Sequence, residues 1–208
     1  MEQAPTKAKR GRPPRYRREV ILAGASSALI ERGYGKLRYS DVSEAAGVPT
    51  ASLQHYFPTV GELRRAALCF TVRDEVRQLQ DTLEGLATPW DRLAMIIRRS
   101  ISPGPDLRRR NWTLWLEYWR AAAHEPELAA DSEVVAEAWH LQALECIEAG
   151  LADGSFRLDG SAADAALEMH ALLDGFGVNF AIEHTEEDAE RAIMITERAM
   201  RRVLHVED

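Results

Sequence analysis

Two stretches of this 208-residue chain concentrate side chains that can do chemistry. The first is residues 50–56, where Thr50, Ser52, Gln54, His55 and Tyr56 surround an apolar Leu53. Short hydroxyl, amide and imidazole groups of this kind hydrogen-bond to flat polar edges or to phosphate oxygens, the contacts by which a helix reads a DNA groove. The second is residues 111–119, in which Trp112, Trp115, Tyr118 and Trp119 follow one another closely. Trp112, Trp115 and Trp119 stand at i, i+3 and i+7, so they share one helical face, and Trp139 can approach them from the next segment. Aromatic walls with an acid nearby attract a cation. The acids within reach are Glu117, Glu145 and Asp174, with Phe176 beside the last as a further wall. Such a stripe serves more often as packed core, and both readings stay open. No Gly-rich phosphate loop, nucleophile elbow or paired-carboxylate motif occurs. His140 and His170 have no second His or Cys at i+3 or i+4. Catalytic residues, a metal and a cofactor are therefore not expected.

The elements that must position these residues are all helical. A helix is predicted over about Tyr16–Arg32, with Ile21, Leu22, Ala25, Ala28 and Leu29 on one face and Gly33 as a left-handed cap. A short helix over about Ser40–Ala46 turns Val42, Ala45 and Ala46 inward. Gly47 makes a tight turn, and a second short helix runs to about Tyr56 with Thr50 as its N-cap. Pro58 stops it. Thr59 and Glu62 form a capping box for a long helix that reaches the Leu79–Leu86 region. Further helices are predicted over about 90–101, 107–123, 126–152, 161–184 and 186–205. The expected organisation is a flexible basic arm (1–15), a three-helix helix-turn-helix domain (16–63) and a helical bundle (64–208).

Charge divides along the same line. Residues 1–64 carry eleven Lys/Arg against six Asp/Glu, whereas residues 65–208 carry fifteen against twenty-seven. A basic head on an acidic body suits a polyanion partner. Lys7, Lys9, Arg10, Arg12 and Arg15 surround Gly11-Arg12-Pro13, a core similar to minor-groove hooks, although a basic tail can also attract phosphate without specificity. No apolar run approaches a membrane span, and the N-terminus is unlike a secretory signal. Cys69 and Cys146 read as buried thiols of a cytoplasmic protein.

The run GYGKLRYSDVSEAAGVPTASLQHYFPTVGEL (33–63) resembles the tetracycline-repressor (TetR) family, most closely at Gly33, Tyr34, Asp41, Val42, Ala45, Ala46, Gly47, Val48, Leu53, Tyr56, Phe57, Glu62 and Leu63. The resemblance implies an all-α homodimer that binds a palindromic double-stranded DNA operator and responds to a small-molecule effector. It implies that 50–56 form the recognition helix. The DNA contacts would then be Arg38, Thr50, Ala51, Ser52, Gln54, His55, Tyr56 and Thr59, with Arg10, Arg12 and Arg15 from the arm. The family pattern is broken at Arg38, where a Thr is usual, at Gln54, where an aromatic is frequent, and at Val60, where a Lys phosphate clamp is frequent. The segment WLEYWRAAAHEPELA is similar, more loosely, to the ligand domains of choline-responsive betaine-pathway repressors. That points to an amine or quaternary ammonium at Trp112, Trp115, Glu117, Trp119, Trp139, Asp174 and Phe176.

The last two helices are expected to pair with their copies in a second chain, burying Leu173, Phe180, Met200, Val203 and Leu204, with Gly175 and Gly177 allowing close approach. Other functions stay open on sequence alone: a helical-bundle enzyme or ligand carrier, or a DNA-binding activator with no effector.

Overall fold

Four helices begin with the same device, a Ser or Thr hydroxyl accepting the backbone N–H three residues on. Thr59 caps with Glu62 (3.2 Å), Thr88 with Asp91 (3.0 Å), Ser161 with Asp164 (3.0 Å) and Thr185 with Asp188 (3.2 Å). At Thr185 the box is reciprocal, with Asp188 accepting the Thr185 N–H at 2.9 Å. At Thr59 the Glu62 carboxylate instead accepts the Thr59 hydroxyl at 3.1 Å. In the computed structural model, which describes residues 16–101, 104–182 and 185–206, the helices run in the order α1 (Arg18–Arg32), α2 (Tyr39–Ala46), α3 (Thr50–Tyr56), α4 (Val60–Glu84), α5 (Pro89–Ile101), α6 (Pro105–Ala122), α7 (Pro126–Asp153), α8 (Ala162–Phe180) and α9 (Glu186–Val203). Among the described residues there is no strand. The arm, with Arg10, Arg12 and Arg15, lies outside the described residues.

Two apolar clusters organise the chain. The first joins α1–α3 and the N-terminal half of α4 through Ile21, Leu29, Val42, Leu53, Leu63 and Leu68, and it draws in Leu114, Tyr118 and Ala121 of α6. The second fills the remainder around Leu79, Leu93, Ile97, Ile147, Met169 and Ile193. Helix α4 therefore belongs to both, its first half to the head and its second half to the body. Trp115, Trp119 and Trp139 pack against both clusters.

A buried cation closes the far end of the body. Arg108, only 2% exposed, donates to both Glu186 oxygens at 2.9 and 3.0 Å, donates through Nε to the Ile101 carbonyl, and lies 5.4 Å from the Phe180 ring centroid. It ties α5, α6, α8 and α9 together.

The expected dimer face needs correction. Leu173, Phe180, Met200 and Leu204 are buried in the chain's own core, and Val203 is half-buried against it. Gly177 makes room for Trp112 of the same chain, since a Cβ there would collide with the indole, whereas Gly175 faces open space. The large apolar residues left outside are Leu167 (57% exposed) and Val178 on α8, Ile182 just past its end, and Met194 (60%) on α9. The physical reason is arithmetic: bulky residues on both faces of α8 outnumber those one neighbour can cover, and the bulkiest turn toward α5–α7.

Candidate nucleic-acid interface and internal cavity

The α2–α3 turn depends on Gly47, whose φ of 65° and ψ of 29° lie in the left-handed region that a side chain disfavours. Its N–H closes onto the Ser43 carbonyl. Helix α2 lies so close to α1 that a Cβ on Gly24 would sit 2.6 Å from the Ala46 Cβ and 2.7 Å from its Cα. Leu53 is fully buried under α3. The helix is pinned at its end by Tyr39, whose hydroxyl donates to the Phe57 carbonyl at 2.6 Å. Arg64 donates twice to the Leu37 carbonyl, at 2.8 and 3.0 Å, and holds α4 against the loop before α2.

On this support Thr50, Ala51, Gln54 and His55 are exposed, and Ser52 and Tyr56 are half-buried. Thr50 is the first helical residue and not the N-cap, which is Pro49. Ala45 is exposed, contrary to its expected inward direction, because Gly24 draws Ala46 against α1. Arg38 is exposed and gives its backbone N–H to Asp41 at 2.8 Å, and Thr59 is exposed as the cap of α4. The Tyr56 hydroxyl donates to the Tyr16 carbonyl, which fixes the approach to α1 and leaves its oxygen lone pairs to accept. The Arg18 guanidinium stacks over Phe57, 5.1 Å from its centroid.

The tryptophan face bounds a cavity of about 510 Å³ lined by α1 and α4–α8. Trp112, Trp115, Tyr118, Trp119 and Trp139 supply its aromatic walls, and Asp174 lies at its margin. Trp115 meets Tyr118 edge-on at 5.9 Å and Trp119 at 6.0 Å. Two expected ligand residues are elsewhere. Glu117 turns to the opposite side of α6, accepts the Gly35 N–H at 3.3 Å and occupies the space beside Gly33. Gly33 itself has φ 85° and ψ 158°, an extended mirror conformation in place of the expected left-handed cap, which brings the chain under that carboxylate. Phe176 stacks on Phe180, 6.5 Å away, and joins the core. Glu145 is exposed.

What the cavity adds is polar. Glu75 of α4 opens into it, its carboxyl pushed up to about 7, first by burial, with Arg99 opposing and Asp74 reinforcing the shift. His140 and His170 meet there edge to face, 4.5 Å apart, although they lie on different helices. Burial, then the neighbouring His140, pushes His170 down to about 4, so its ring is neutral. His170 Nε2 and the Trp139 indole N–H are buried without a hydrogen-bond partner. Periodicity within one helix finds the tryptophans, but it is blind to Glu75 and to a histidine pair assembled across two helices. Among the described residues no group of three or more His, Cys, Asp or Glu is arranged to hold a metal ion.

Comparison with known proteins bears on both sites. Residues 21–67 match the family described as bacterial regulatory proteins, tetR family, and residues 89–205 match the BetI-type transcriptional repressor, C-terminal family. The HTH-type transcriptional regulator BetI of Brucella melitensis is 25% identical over 187 residues, which cover 90% of each chain. Among solved structures, a TetR-family transcriptional regulator from Rhodococcus sp. is 26% identical, with a TM-score of 0.72 over 90% of this chain and 97% of that one. A transcriptional regulator from Saccharomonospora viridis, solved in complex with choline, shares the fold at a TM-score of 0.70 and 23% identity, over 92% of this chain and 98% of that one.

Proposed function

The chain belongs to the TetR family of transcriptional regulators, and on that premise we propose that it represses as a homodimer and leaves its operator when a small amine or quaternary ammonium fills the cavity. One observation carries the coupling. Trp115, Trp119 and Trp139 line the cavity and at the same time pack against both the head core and the body core. A ligand that shifts these rings changes the seat of the head. Ser26 of α1 also lines the cavity, tied to Thr71 of α4 at 2.8 Å, so the ligand reaches the first helix of the head directly. The ligand class is supported by the aromatic walls, which attract a cation, by the BetI-type match of the body and by the choline-bound regulator of the same fold. The unpaired Trp139 N–H and His170 Nε2 offer one donor and one acceptor, a pair that a ligand hydroxyl satisfies.

Arg38, Thr50, Ala51, Ser52, Gln54, His55, Tyr56 and Thr59 form the DNA contacts, with α3 in the major groove. The arm carries Arg10, Arg12 and Arg15 along the minor groove. The second copy packs on the exposed stripe Leu167, Gly175, Val178 and Ile182 together with Met194, setting two recognition helices about 34–36 Å apart. The protein acts in the cytoplasm, where its DNA is.

A salt-titrated binding assay tests this on duplex from upstream of the protein's own gene, against scrambled duplex. Binding at least about a thousandfold tighter than to scrambled DNA is expected, with release on addition of choline. Absence of binding to either duplex contradicts the regulator reading of this face.

A further inference from the structure

Glu75 lines the cavity but makes no hydrogen bond and no ion pair among the described residues. Its surroundings explain why that matters. Helix α1 contributes Ser26 and Ile30, which carry no charge; α4 itself adds Asp74, a like charge; and α6 adds Tyr118. From α5 comes Arg99, which is exposed and bonds to Gln78 Oε1 at 3.3 Å. Helix α7 adds His140, and α8 adds His170, which is 9% exposed and neutral, and Asp174, whose own carboxyl is raised by burial. No cation in contact neutralises Glu75, and no donor compensates its lost hydration. These surroundings therefore shift Glu75 toward the protonated acid. A permanent cation entering among the tryptophans reverses that preference, because it brings opposite charge that Arg99, which makes no ion pair with Glu75, supplies only in part.

Resting on the reading of this cavity as a cation site, we propose that Glu75 is the counter-ion of the bound ligand, and that each monocation is taken up in exchange for the Glu75 proton. The balance is simple: the carboxyl O–H dissociates, the carboxylate pairs with the cation, and one proton leaves to solvent. Ligand affinity then falls as pH falls, and acidification leaves the regulator on its DNA.

The test is calorimetric titration of the full chain with tetramethylammonium, a cation that has no proton to give, in buffers of different ionisation heat. Proton release is expected between about pH 5.5 and 7, with affinity falling about tenfold per pH unit below pH 6 and level above pH 8. In Glu75→Gln the release disappears, and affinity at pH 8 drops by about tenfold or more to a value independent of pH. Binding without proton release and with level affinity overturns the exchange while leaving the cation reading intact. Release that persists in Glu75→Gln assigns the proton to another group and overturns the role of Glu75. No binding by the wild type at any pH overturns the cation reading and the proposal together. Circular dichroism checks the variant's fold. Should it not fold, an infrared difference spectrum of the wild type serves: loss of a protonated carboxyl band with gain of a carboxylate band on binding is expected, and its absence overturns the proposal.

Discussion

The head and the body of this molecule display their chemistry in opposite ways. The head carries it outside, on consecutive residues of one short helix, with Thr50, Ala51, Gln54 and His55 exposed over a buried Leu53. The body carries it inside, in a cavity whose walls come from six helices and where the Trp139 indole N–H and His170 Nε2 are buried without a hydrogen-bond partner. A surface site needs only a rigid support and the right local order of residues. An internal site needs the whole bundle in register, since Glu75 and the His140–His170 pair exist as a constellation only after α4, α7 and α8 have packed.

All five tryptophans lie between residues 90 and 139, so tryptophan emission reports the body together with its contact to the head, and DNA binding reports the head. Gly24→Leu should have the largest effect on this contrast. The added side chain collides with Ala46 backbone atoms 2.7 and 2.8 Å from where the Cβ would stand, and α2 must move. Operator binding should fall by at least about a hundredfold while tryptophan emission keeps its wild-type maximum, as read by anisotropy and fluorescence. If both are lost together, head and body are one cooperative unit and the contrast breaks.

Arg108→Ala attacks the other region. It strands the Ile101 carbonyl and frees Glu186, with an expected cost of about 2–4 kcal/mol and a fall in Tm of about 5–10 °C. A scanning calorimeter checks this, and an unchanged Tm contradicts the clamp. Gln54→Ala should be smaller and purely local. Operator affinity should drop by about 1–3 kcal/mol, scrambled-duplex affinity and Tm staying as in the wild type. An equal loss on both duplexes would make Gln54 a phosphate contact.

Glu75→Gln gives the smallest free-energy change of the four, and its size depends on pH. Burial holds the folded carboxyl at about 7, above its ordinary value of 4.5, so the folded chain binds the extra proton between those values. The stability that goes with the protonated form is present below about 4.5 and is lost as pH rises to about 7. Glutamine never ionises. The variant should therefore match the wild type near pH 4.5 and exceed it above pH 7, by about 1–2 kcal/mol once water in the cavity is allowed for. Parallel melting curves across that range, with no crossing or divergence, would contradict the assignment of Glu75 as a buried, uncompensated acid.

The same contrast decides what could be read in advance. The helix order, the Gly47 turn and the inward Leu53 follow from local rules that act over three or four residues, and they were legible. So was the shared face of Trp112, Trp115 and Trp119, which the cavity confirms by its lining. The caps at Thr88, Ser161 and Thr185 went unread because Asp fills the third position in place of the commoner Glu. Glu117 looks like a cavity acid because it sits among the tryptophans in sequence, yet two steps of about 100° from Trp115 turn it to Gly35. Leu173, Phe180, Met200 and Leu204 looked like a dimer face because sequence shows that α8 and α9 are rich in apolar residues without showing which side the rest of the chain covers. Gly24 gave no signal at all, since its role is the space it leaves to Ala46.

On the function proposed above, filling the cavity loosens the head's hold on DNA. It is tested most directly by titrating choline into the protein–operator complex while following tryptophan emission and DNA anisotropy in one cuvette. Linkage requires the two signals to move together, with choline binding more weakly when operator is present than when it is absent, by the same factor as choline weakens operator binding. That is the predicted result. Tryptophan emission that saturates while the DNA stays bound with unchanged affinity would contradict the account, because the cavity and the DNA-binding face would then be two sites that do not communicate.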